Sequence, residues 1–428
     1  MAVHFVSRSR SEEENPSKRR RIDPRSRAAV SPRRKVVFYV RRDSSALSST
    51  TNSYYDEKEK LDYKYAARSV SKAAKKHHKD DKRGHLIFAV GENLTPRYKI
   101  ICKMGEGTFG QVLECWDRDS HEAVAIKVIR SEKKYREAAK YEIDILFKIG
   151  NDRAGARSCV QMKRWFEYED HICIVFEKLG PSLYDFLKTN SDRPFTFKLV
   201  REFARQILES VAYMHNLKYI HTDLKPENVL LTSSECRKFV VPVLEGSSKR
   251  LKELRVPRCS RVKLIDFGSA TSYKQRSASS IVSTRHYRAP EVILGLGWSY
   301  PCDIWSIGCM LAELSTGVLL FDTHEDLEHL AMMERILGRI PSHLIKNVTG
   351  KAEEYFRHRR RLNWPEGASS SRSVRAVQRV LQLDELLEKY ADDYENSFLD
   401  LLRQLLKYDP NDRPTAEEAL GHPFFRGH

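Results

Sequence analysis

The sequence predicts an α+β protein of two lobes, a small antiparallel β-sheet lobe with one key helix and a large, mainly helical lobe, preceded by a disordered basic tail. Residues 1–80 are rich in Ser, Arg and Lys and have no sustained apolar periodicity, which predicts disorder. Short β-rich segments begin near His85, and from about residue 182 apolar residues recur mostly at helical spacing. The 428 residues are enough for both lobes and the tail.

These changes of pattern give three predicted regions: a tail over residues 1–84, a sheet lobe over residues 85–179 and a helical lobe over residues 180–428. In the sheet lobe, residues 86–88 and 98–101 are expected to be strands on either side of a turn at Gly91. The change from strand-rich to helix-rich sequence predicts that a cleft lies between two lobes of different architecture.

The positive charge of the chain is concentrated near its N-terminus. The formal net charge is +17; residues 1–94 contain 23 Lys and Arg against 12 Asp and Glu, and the other residues contain 52 against 46. The body is therefore nearly balanced, and its charge alone does not indicate nucleic-acid binding. The tail can contact RNA weakly and non-specifically by neutralising phosphates.

Two basic runs in the tail, at residues 18–21 and 33–35, resemble a two-part nuclear import signal. The alternative is a basic tail that does no more than keep the chain solvated. An import signal predicts that the protein is located in the nucleus.

The eight cysteines are scattered along the chain without a Cys-x-x-Cys pair. Buried, reduced thiols are the simplest interpretation, and a zinc site or a disulfide framework is the alternative. The chain has no long apolar run, and its basic N-terminus lacks an apolar signal core. We therefore expect a soluble, monomeric protein of a reducing compartment that has no membrane partner.

The spacing Gly105-x-Gly107-x-x-Gly110-x-Val112 predicts a loop whose backbone approaches phosphate groups closely, because glycine has no side chain to collide with them. Dinucleotide-binding folds use a similar pattern, but there the glycines begin a helix. Here the residues that follow, up to Trp116, suit a strand. A loop between two strands that closes over a triphosphate is therefore favoured.

Lys127 ends a β-rich segment, where its ammonium group can neutralise the α- and β-phosphates of a nucleotide. The alternative, a solvated surface lysine, is disfavoured by the helix that follows. Glu142 falls on the apolar face of that helix, where an unpaired carboxylate would be costly, so Lys127 is its natural partner. Glu137 lies among lysines on the polar face and is the poorer candidate.

Three further motifs follow: His221-Thr222-Asp223-Leu224-Lys225-Pro226-Glu227-Asn228, Asp266-Phe267-Gly268 and Ala289-Pro290-Glu291. Together with the glycine loop and Lys127 they stand in the order found in protein kinases, and the chain resembles that family from about His85 to Phe425. The resemblance implies a two-lobed protein-kinase fold, the use of ATP and Mg²⁺, and a catalytic set of Asp223, Lys225, Lys127 and Glu142.

The resemblance also implies a role for each residue of the catalytic loop. Asp223 would accept the hydroxyl proton of the protein substrate, and Asn228 and Asp266 would hold Mg²⁺ against the phosphates. Lys225 follows the base by two residues, as in serine/threonine kinases and generally not in dedicated tyrosine kinases. That spacing indicates Ser and Thr as the main acceptors.

Phe176-Glu177-Lys178-Leu179 follows an apolar strand and resembles the hinge between the lobes of a kinase. Backbone groups of Glu177 and Leu179 would then hold adenine, and Phe176 would close the back of the pocket. The cofactor-binding residues implied by the resemblance are Gly105, Gly107, Gly110, Val112, Lys127, Glu177 and Leu179. Asp303 would brace the catalytic loop from below, and Glu291 and Arg413 would form a buried structural ion pair.

Residues 330–335 spell Leu-Ala-Met-Met-Glu-Arg, the segment that names the LAMMER, or Clk-like, dual-specificity kinases, and the chain most resembles their plant AFC-type branch. Residues 283–291, the His221-Thr222-Asp223 variant and the long spacer after Asn228 fit this family; the spacer is expected to contain a β-hairpin insertion near residues 233–260. The family implies phosphorylation of Arg-Ser-rich splicing factors in the nucleus, with tyrosine autophosphorylation. The segment at 330–335 itself is expected to be a buried helix face without a catalytic role.

Thr222 stands where kinases usually have the arginine that pairs with a phosphate on the activation loop. Its presence predicts an activation segment that is always assembled. Two acidic residues, Glu227 and Asp185, are the candidates to bind an arginine that precedes the acceptor serine. For Asp185, a solvated helix residue is an equally good interpretation.

Two other classes of function remain open at this point, a pseudokinase scaffold that binds splicing factors and an RNA-binding protein that uses its basic tail. The residues needed for phosphoryl transfer are all intact, which disfavours the pseudokinase: Lys127, Glu142, Asp223, Asn228 and Asp266. The body has no RNA-recognition motif, which makes RNA contact an accessory property.

Overall fold

The computed structural model describes residues 36–40, 80–151, 153–245, 248–277, 280–390 and 396–426. These residues form the two lobes that the sequence predicts, an antiparallel sheet with one long helix and a mainly helical lobe. The basic runs at residues 18–21 and 33–35, and with them the predicted import signal, lie outside the described residues.

The first lobe is built on a sheet of strands β1 (Val36–Val40), β2 (Tyr98–Glu106), β3 (Gly110–Asp117), β4 (Glu122–Ile129), β5 (Met162–Tyr168) and β6 (His171–Glu177). Their order across the sheet is β1-β5-β6-β4-β3-β2, and every neighbouring pair is antiparallel. Alternate residues such as Leu113, Ile126 and Val175 are buried on one face, as expected for a half-buried sheet. The glycine loop therefore connects β2 to β3, and Lys127 lies on the central strand β4.

Strand β1 differs from the disorder predicted for residues 1–84. It forms one edge of the sheet and pairs with β5, from Val36 opposite Tyr168 to Val40 opposite Arg164. Its sequence Val-Val-Phe-Tyr-Val consists of β-branched and aromatic residues, which favour a strand even between charged neighbours. Structure also begins slightly before His85, since the Asp80 carboxylate lies 3.1 Å from Nε2 of the buried His171.

Residues 86–88 are not a strand, and this part of the prediction is wrong. The Leu86 carbonyl accepts a hydrogen bond of 2.6 Å from the side chain of Gln111, so it does not join a strand ladder. The turn at Gly91 is present, but its partner is Ile100: the Gly91 amide donates to the Ile100 carbonyl at 2.9 Å. The acceptor at Leu86 is thus satisfied by a side chain 25 residues away, which the local pattern does not reveal.

Helix α1 (Lys133–Ile149) lies beside this sheet and presents its apolar face to it. The buried residues on this face are Ala139, Glu142, Ile143, Ile145, Leu146 and Ile149. Glu142 is therefore a single carboxylate in an apolar stripe, as the spacing predicted.

The helices that follow in the described part of the chain are α2 (Arg153–Ser158), α3 (Leu183–Thr189), α4 (Phe197–Asn216), α5 (Pro290–Ile293), α6 (Pro301–Thr316), α7 (Asp326–Leu337), α8 (Ser342–Lys346), α9 (Ser371–Arg379), α10 (Leu383–Tyr390), α11 (Asn396–Leu405) and α12 (Ala416–Leu420). Helix α6 is buried from Cys302 to Thr316 and is the centre of the second lobe. A helix that is apolar on all sides is expected in such a core position. It gives a rigid base to the loops that lie above it.

Pairs of antiparallel strands hold the loops of the second lobe in position. They are β7 (Tyr219–Ile220) with β12 (Thr271–Ser272), β8 (Val229–Leu231) with β11 (Val262–Leu264), β9 (Cys236–Glu245) with β10 (Ser248–Pro257), and β13 (Phe356–Arg357) with β14 (Arg361–Leu362). The β8–β11 pair brings the segment after Asn228 beside the segment before Asp266. The β9–β10 hairpin lies within residues 233–260, where the insertion was predicted.

All eight cysteines are free thiols. In the described ranges, no group of three or more His, Cys, Asp or Glu residues is arranged to hold a metal ion. Within the same residues, no helix is long and apolar enough to cross a membrane.

Candidate active site

Lys127 joins the two lobes through two carboxylates. Its Nζ atom donates to Glu142 Oε1 at 2.8 Å and Oε2 at 3.0 Å, and to Asp266 Oδ1 at 3.0 Å. Burial opposes the charged form of Lys127, but the negative charges of Glu142 and Asp266 raise its pKa overall. The ion pair that the sequence predicted between Lys127 and Glu142 is present, and Lys127 is a fixed cation between the lobes.

The glycine loop leaves open space beside Lys127. A Cβ atom added at Gly105 or at Gly107 would meet no heavy atom within 4 Å, whereas one at Gly110 would lie 2.2 Å from the Val128 carbonyl oxygen. Gly110 is therefore required for packing against β4, and the first two glycines leave room for a ligand. Val112 lies directly opposite Lys127 in the sheet, on the floor of this space. The first two glycines therefore leave the backbone of this loop open to a close approach by phosphate groups.

The hinge follows strand β6. The Oε1 atom of Glu177 accepts hydrogen bonds from Lys263 at 2.5 Å and from the Gln161 amide at 2.9 Å. The backbone amide of Glu177 donates to the Gln161 carbonyl at 3.1 Å, so this N–H group is already paired. Among the described residues, no group forms a hydrogen bond with the backbone N–H or C=O of Leu179, which is a buried residue. Buried backbone groups are nearly always paired, so the Leu179 backbone is free for a ligand such as adenine.

The catalytic loop is held from below by Asp303 on α6. Its carboxylate accepts hydrogen bonds from the amides of His221 and Thr222, both at 2.9 Å. Thr222 has a φ of 66°, and its hydroxyl donates to the Ser269 carbonyl at 2.9 Å. A β-branched residue at positive φ is strained, and bonds of this kind are needed to maintain it. Thr222 therefore ties the catalytic loop to the segment after Asp266.

Asp223 lies at the centre of a hydrogen-bonded group. Lys225 Nζ donates to its Oδ2 at 2.7 Å, and the hydroxyl of Thr284 donates to its Oδ1 at 2.6 Å. Burial alone would raise the pKa of Asp223, but these hydrogen bonds lower it below its usual value. Asp223 is thus an ionised carboxylate with Lys225 beside it, suited to orient a hydroxyl group and accept its proton.

Asn228 and Asp266 form the candidate cation site. The amide nitrogen of Asn228 donates to the Asp223 carbonyl at 2.9 Å, which leaves its amide oxygen to face a cation. The positive charge of Lys127 lowers the pKa of Asp266 in opposition to burial, so this carboxylate is ionised. Oxygen ligands of this kind suit a hard divalent cation.

Gly268 and Phe267, which follow Asp266, pack closely around this site. A Cβ atom at Gly268 would lie 3.4 Å from both Asp266 Oδ1 and Glu142 Oε2. Phe267 is fully buried against the ring of His221, at a centroid distance of 5.5 Å. With the Lys127–Glu142 pair also in place, the residues stand in the arrangement that phosphoryl transfer requires.

The two predicted substrate residues have different environments. The Oε2 atom of Glu227 is buried and has no hydrogen-bond partner, and burial raises the pKa of this carboxyl group. Asp185 is instead part of the N-terminal cap of α3, where it accepts hydrogen bonds from the Ser182 hydroxyl at 2.6 Å and the Ser182 amide at 3.3 Å. Both hydrogen bonds of Asp185 end on Oδ2, and of these two residues only Glu227 has a buried carboxylate oxygen without a partner.

Sequence reasoning missed a third acidic residue, Glu313 on α6. It is buried, and its carboxylate accepts a hydrogen bond of 2.5 Å from the hydroxyl of Tyr287. Burial, with a smaller contribution from the negative charge of Glu227, raises the pKa of Glu313 to about 7. The signal available in the sequence was a glutamate within the otherwise apolar helix after Asp303. The structure brings Glu227 and Glu313 within electrostatic range of each other.

The segment at residues 330–335 belongs to α7, away from this site. Residues 330–333 are buried. The Glu334 carboxylate accepts a hydrogen bond from the Ile340 amide at 3.1 Å, and Arg335 donates to the Val380 carbonyl at 3.0 Å. The two charged residues anchor α7 to its neighbours, as the sequence predicted.

Elsewhere in the lobe, Arg413 forms two hydrogen bonds of 2.7 Å with Glu291, which makes the predicted buried ion pair.

Comparison with known proteins agrees with this site. Residues 98–425 match the family described as the protein kinase domain. The chain is 60% identical over 348 residues to the serine/threonine-protein kinase AFC3 of Arabidopsis thaliana, covering 81% of this chain and 86% of that protein. It is 47% identical over 348 residues to the dual specificity protein kinase CLK4 of Homo sapiens, covering 81% of this chain and 70% of that one.

A crystal structure of a kinase domain is also similar to this chain. Its TM-score is 0.74 at 40% sequence identity, and the match covers 81% of this chain and 100% of that chain. The arrangement of lobes, glycine loop and catalytic loop described above is therefore the arrangement of a known protein fold.

Proposed function

Because this chain belongs to the protein kinase family, and within it to the LAMMER dual-specificity kinases of the AFC type, we propose that its substrates are Arg-Ser-rich splicing factors in the nucleus. It is a dual-specificity protein kinase that uses ATP and a divalent metal ion, for which we propose Mg²⁺. Its partners are protein substrates. The observation that supports an arginine-rich substrate is the unpaired carboxylate oxygen of Glu227 beside the catalytic loop.

The residues of the chain prepare both reactants for transfer. ATP supplies the phosphoryl group, and the metal ion offsets the negative charge of the phosphates. Lys127 is held by Glu142 at the place where phosphates would lie, and Asn228 and Asp266 would hold the metal ion through their side-chain oxygen atoms. Asp223 orients the acceptor hydroxyl and accepts its proton, and Lys225 stands beside the group in transfer. Most of the rate gain in such a site comes from positioning and charge neutralisation.

Attraction of an arginine-rich chain to this kinase must be local. The body of the protein is slightly basic, so its net charge does not attract a cationic substrate. Glu227 lies one residue before Asn228 and has a free oxygen, and Glu313 adds a second carboxylate nearby. A guanidinium group bound there would form partly desolvated, charge-assisted hydrogen bonds, which are stronger than exposed ion pairs.

Phosphosite mapping on a peptide library tests the substrate class. The protein is incubated with ATP, Mg²⁺ and peptides that contain one serine within Arg-Ser repeats, and the matched control library has alanine in place of each arginine. We expect phosphorylation of the Arg-Ser library at least tenfold faster than that of the control. Equal rates for the two libraries would remove the proposed arginine preference while leaving the kinase activity intact.

The basic tail supports two further proposals. Its paired basic runs would direct the chain to the nucleus, and its excess of Lys and Arg would give weak, non-specific contact with RNA. RNA contact is accessory here, because the tail contains most of the excess positive charge and the body contains the kinase fold.

A further inference from the structure

Two arginines, Arg285 and Arg288, lie close together just after Thr284, whose hydroxyl donates to Asp223. Arg285 begins a 3₁₀ turn (Arg285–Tyr287), and Arg288 follows that turn. Arg288 donates from Nε to the Val282 carbonyl and from Nη2 to the Ser283 carbonyl, both at 2.9 Å, and its side chain is only 12% exposed. Burial and the positive charge of Arg285 lower the pKa of Arg288. Two cations in such a position require a nearby anion.

Asp326, the first residue of α7, is that anion. Its Oδ1 atom accepts a short hydrogen bond from Arg285 Nη1 and lies 3.7 Å from Arg288 Nη1. Its Oδ2 atom accepts a hydrogen bond of 3.4 Å from the Tyr355 hydroxyl. The helix N-terminus adds a favourable partial positive charge. Among the described residues, no other carboxylate forms a salt bridge with either arginine.

The contact between Asp326 and Arg285 is partly shielded from water. The Asp326 side chain is 25% exposed and that of Arg285 is 31% exposed. The neighbouring His329 is fully buried, and burial together with the charges of Arg288 and Arg285 lowers its pKa well below the usual value, so it remains neutral. The cluster therefore consists of two cations and one anion, and it is more strongly coupled than an exposed salt bridge.

The cluster is connected directly to the catalytic base. Arg285 follows Thr284, whose backbone amide donates to Asp223 Oδ1 at 3.1 Å and whose hydroxyl donates to the same atom at 2.6 Å. Lys225 also donates to the Thr284 hydroxyl, at 3.0 Å. Any shift of the backbone at Arg285 would therefore displace a group that orients Asp223. Thr222, meanwhile, provides no cation to hold a phosphate near the catalytic loop.

We propose that Asp326 is a positioning residue that supplies the anion for the two arginines of the activation segment, a role that a phosphate has in kinases activated by phosphorylation. Its carboxylate holds Arg285 and Arg288 against α7, and through Thr284 it keeps Asp223 oriented without any modification. This proposal goes beyond the proposed function, because it applies to every protein substrate and not only to Arg-Ser-rich ones.

The variant Asp326→Asn tests the proposal in the full chain, after phosphatase treatment that is followed by removal of the phosphatase. We expect kcat for a serine peptide to fall at least tenfold, about 1.4 kcal/mol of activation free energy, while KM for ATP changes less than twofold. Glu325→Gln is the matched control, since Glu325 is an exposed neighbour that contacts Ser369 and neither arginine. Asp326→Glu should restore part of the rate.

A double-mutant cycle with Arg285→Gln separates positioning from a general loss of stability. If Asp326 acts through Arg285, the double variant is no slower than the slower single variant, and the melting temperatures do not follow the rates. Additive losses, or an Asp326→Asn enzyme with the parent's kcat, would overturn the proposal. A parent enzyme that loses its rate on phosphatase treatment and regains it on autophosphorylation would show that a phosphate, not Asp326, is the functional anion.

Discussion

Lys127 illustrates how one side chain determines both activity and stability. Its ammonium group contacts Glu142 and Asp266, and Glu142 is only 3% exposed. A buried carboxylate without its cation is costly, because neither water nor another charge compensates it. Lys127 is therefore needed by the folded sheet lobe itself, even before a nucleotide binds. Asp223 differs, since its partners Lys225 and Thr284 are partly accessible to water.

Lys127→Met and Asp223→Ala should therefore differ in stability but not in activity. Each should lower the rate of phosphate transfer at least a thousandfold, which corresponds to about 4 kcal/mol of transition-state stabilisation. Lys127→Met should also lower the free energy of unfolding by about 3 kcal/mol, because Glu142 becomes unpaired. Radiolabel transfer and urea denaturation measure the two effects. Lys133→Met is the control, since Lys133 is 90% exposed. A transfer rate of Lys127→Met within tenfold of the parent's would show that Lys127 is not a catalytic residue.

Glu227 and Glu313 allow a prediction about pH and arginine recognition. The pKa of Glu313 is raised to about 7, so this group is ionised at pH 8 and largely protonated at pH 6. KM for Arg-Ser peptides should therefore rise as the pH falls from 8 to 6, while KM for ATP changes little. Glu313→Gln should flatten this dependence, and Glu227→Gln should raise KM more than it lowers kcat. The effects of Glu313→Gln and Glu227→Gln on KM should both be smaller for peptides in which alanine replaces the arginine before the serine. If both variants keep the parent's preference for arginine over alanine, the arginine site lies elsewhere.

The raised pKa of Glu313 also predicts how the stability of the fold depends on pH. Here the favourable effect lies at low pH, whereas arginine binding is favoured at high pH. Because its folded-state pKa lies above the ordinary value of 4.5, Glu313 favours the folded state below about pH 4.5, and this contribution is lost as the pH rises through about 7. Glu313→Gln should therefore raise the melting temperature at pH 8 and have little effect at pH 5. A larger gain at pH 5 than at pH 8 would contradict the buried, raised-pKa environment of Glu313.

At the scale of single elements, helix α3 shows how a residue can be taken for a ligand when it is a cap. Asp185 and Ser182 form reciprocal hydrogen bonds at the start of the helix, the arrangement known as a capping box. Its position near the start of the helical lobe made it a candidate for substrate binding in the sequence, beside the alternative of a solvated helix residue. The local hydrogen bonds instead make its main role the stability of α3, although its negative charge still contributes to the field at Glu227.

Asp185→Ala should lower the free energy of unfolding by about 1 kcal/mol, the usual cost of losing an N-terminal cap. Ser182→Ala should have a similar effect, and the double variant should lose little more, since both changes break the same cap. Guanidinium denaturation measures the three variants. An Asp185→Ala protein that has the parent's stability and a raised KM for Arg-Ser peptides would show instead that Asp185 is mainly a substrate ligand.

At the scale of the whole molecule, most of the excess positive charge and the candidate catalytic residues lie in different parts of the chain. The first 94 residues have a net charge of +11, from 23 basic and 12 acidic residues, whereas the rest has +6, from 52 and 46. Within the body, the two lobes meet where Lys127 of the sheet lobe contacts Asp266 of the helical lobe. The tail can therefore be changed without touching the residues that position ATP and the acceptor.

This separation makes nuclear import testable apart from catalysis. Replacing the basic residues at 18–21 and 33–35 by glutamine should move a fluorescent fusion of the full chain from the nucleus to the cytoplasm, while peptide phosphorylation in vitro stays within twofold. The control replaces Lys75 and Lys76, which lie in the tail outside both runs. Unchanged nuclear fluorescence would mean that another signal, or a partner, directs import.

Much of the site could be predicted from the sequence because its residues lie in short, ordered motifs. Glycine spacing, the Lys127–Glu142 pairing and residues 221–228 and 266–268 each depend on neighbours in the chain, where steric and charge rules apply directly. The apolar face of α1 placed Glu142 correctly for the same reason. Strand β1 was missed because five β-forming residues are a weak signal within a charged segment. Residues 86–88 were wrongly predicted to be a strand, because the hydrogen bond from the Gln111 side chain to the Leu86 carbonyl is not visible in the local pattern.

The sequence by itself determined the two-lobe architecture, the kinase family and the residues predicted to bind ATP, since periodicity and motif order do not depend on distant contacts. Only the tertiary structure decided which carboxylates are paired, buried or free. Glu313 lies 86 residues from Glu227, and Asp326 lies 41 residues from Arg285 in the chain, yet each pair acts as a unit. Charges interact through space and their energy depends on burial, so the proposed recognition of arginine and the proposed anchoring of the activation segment both rest on the fold.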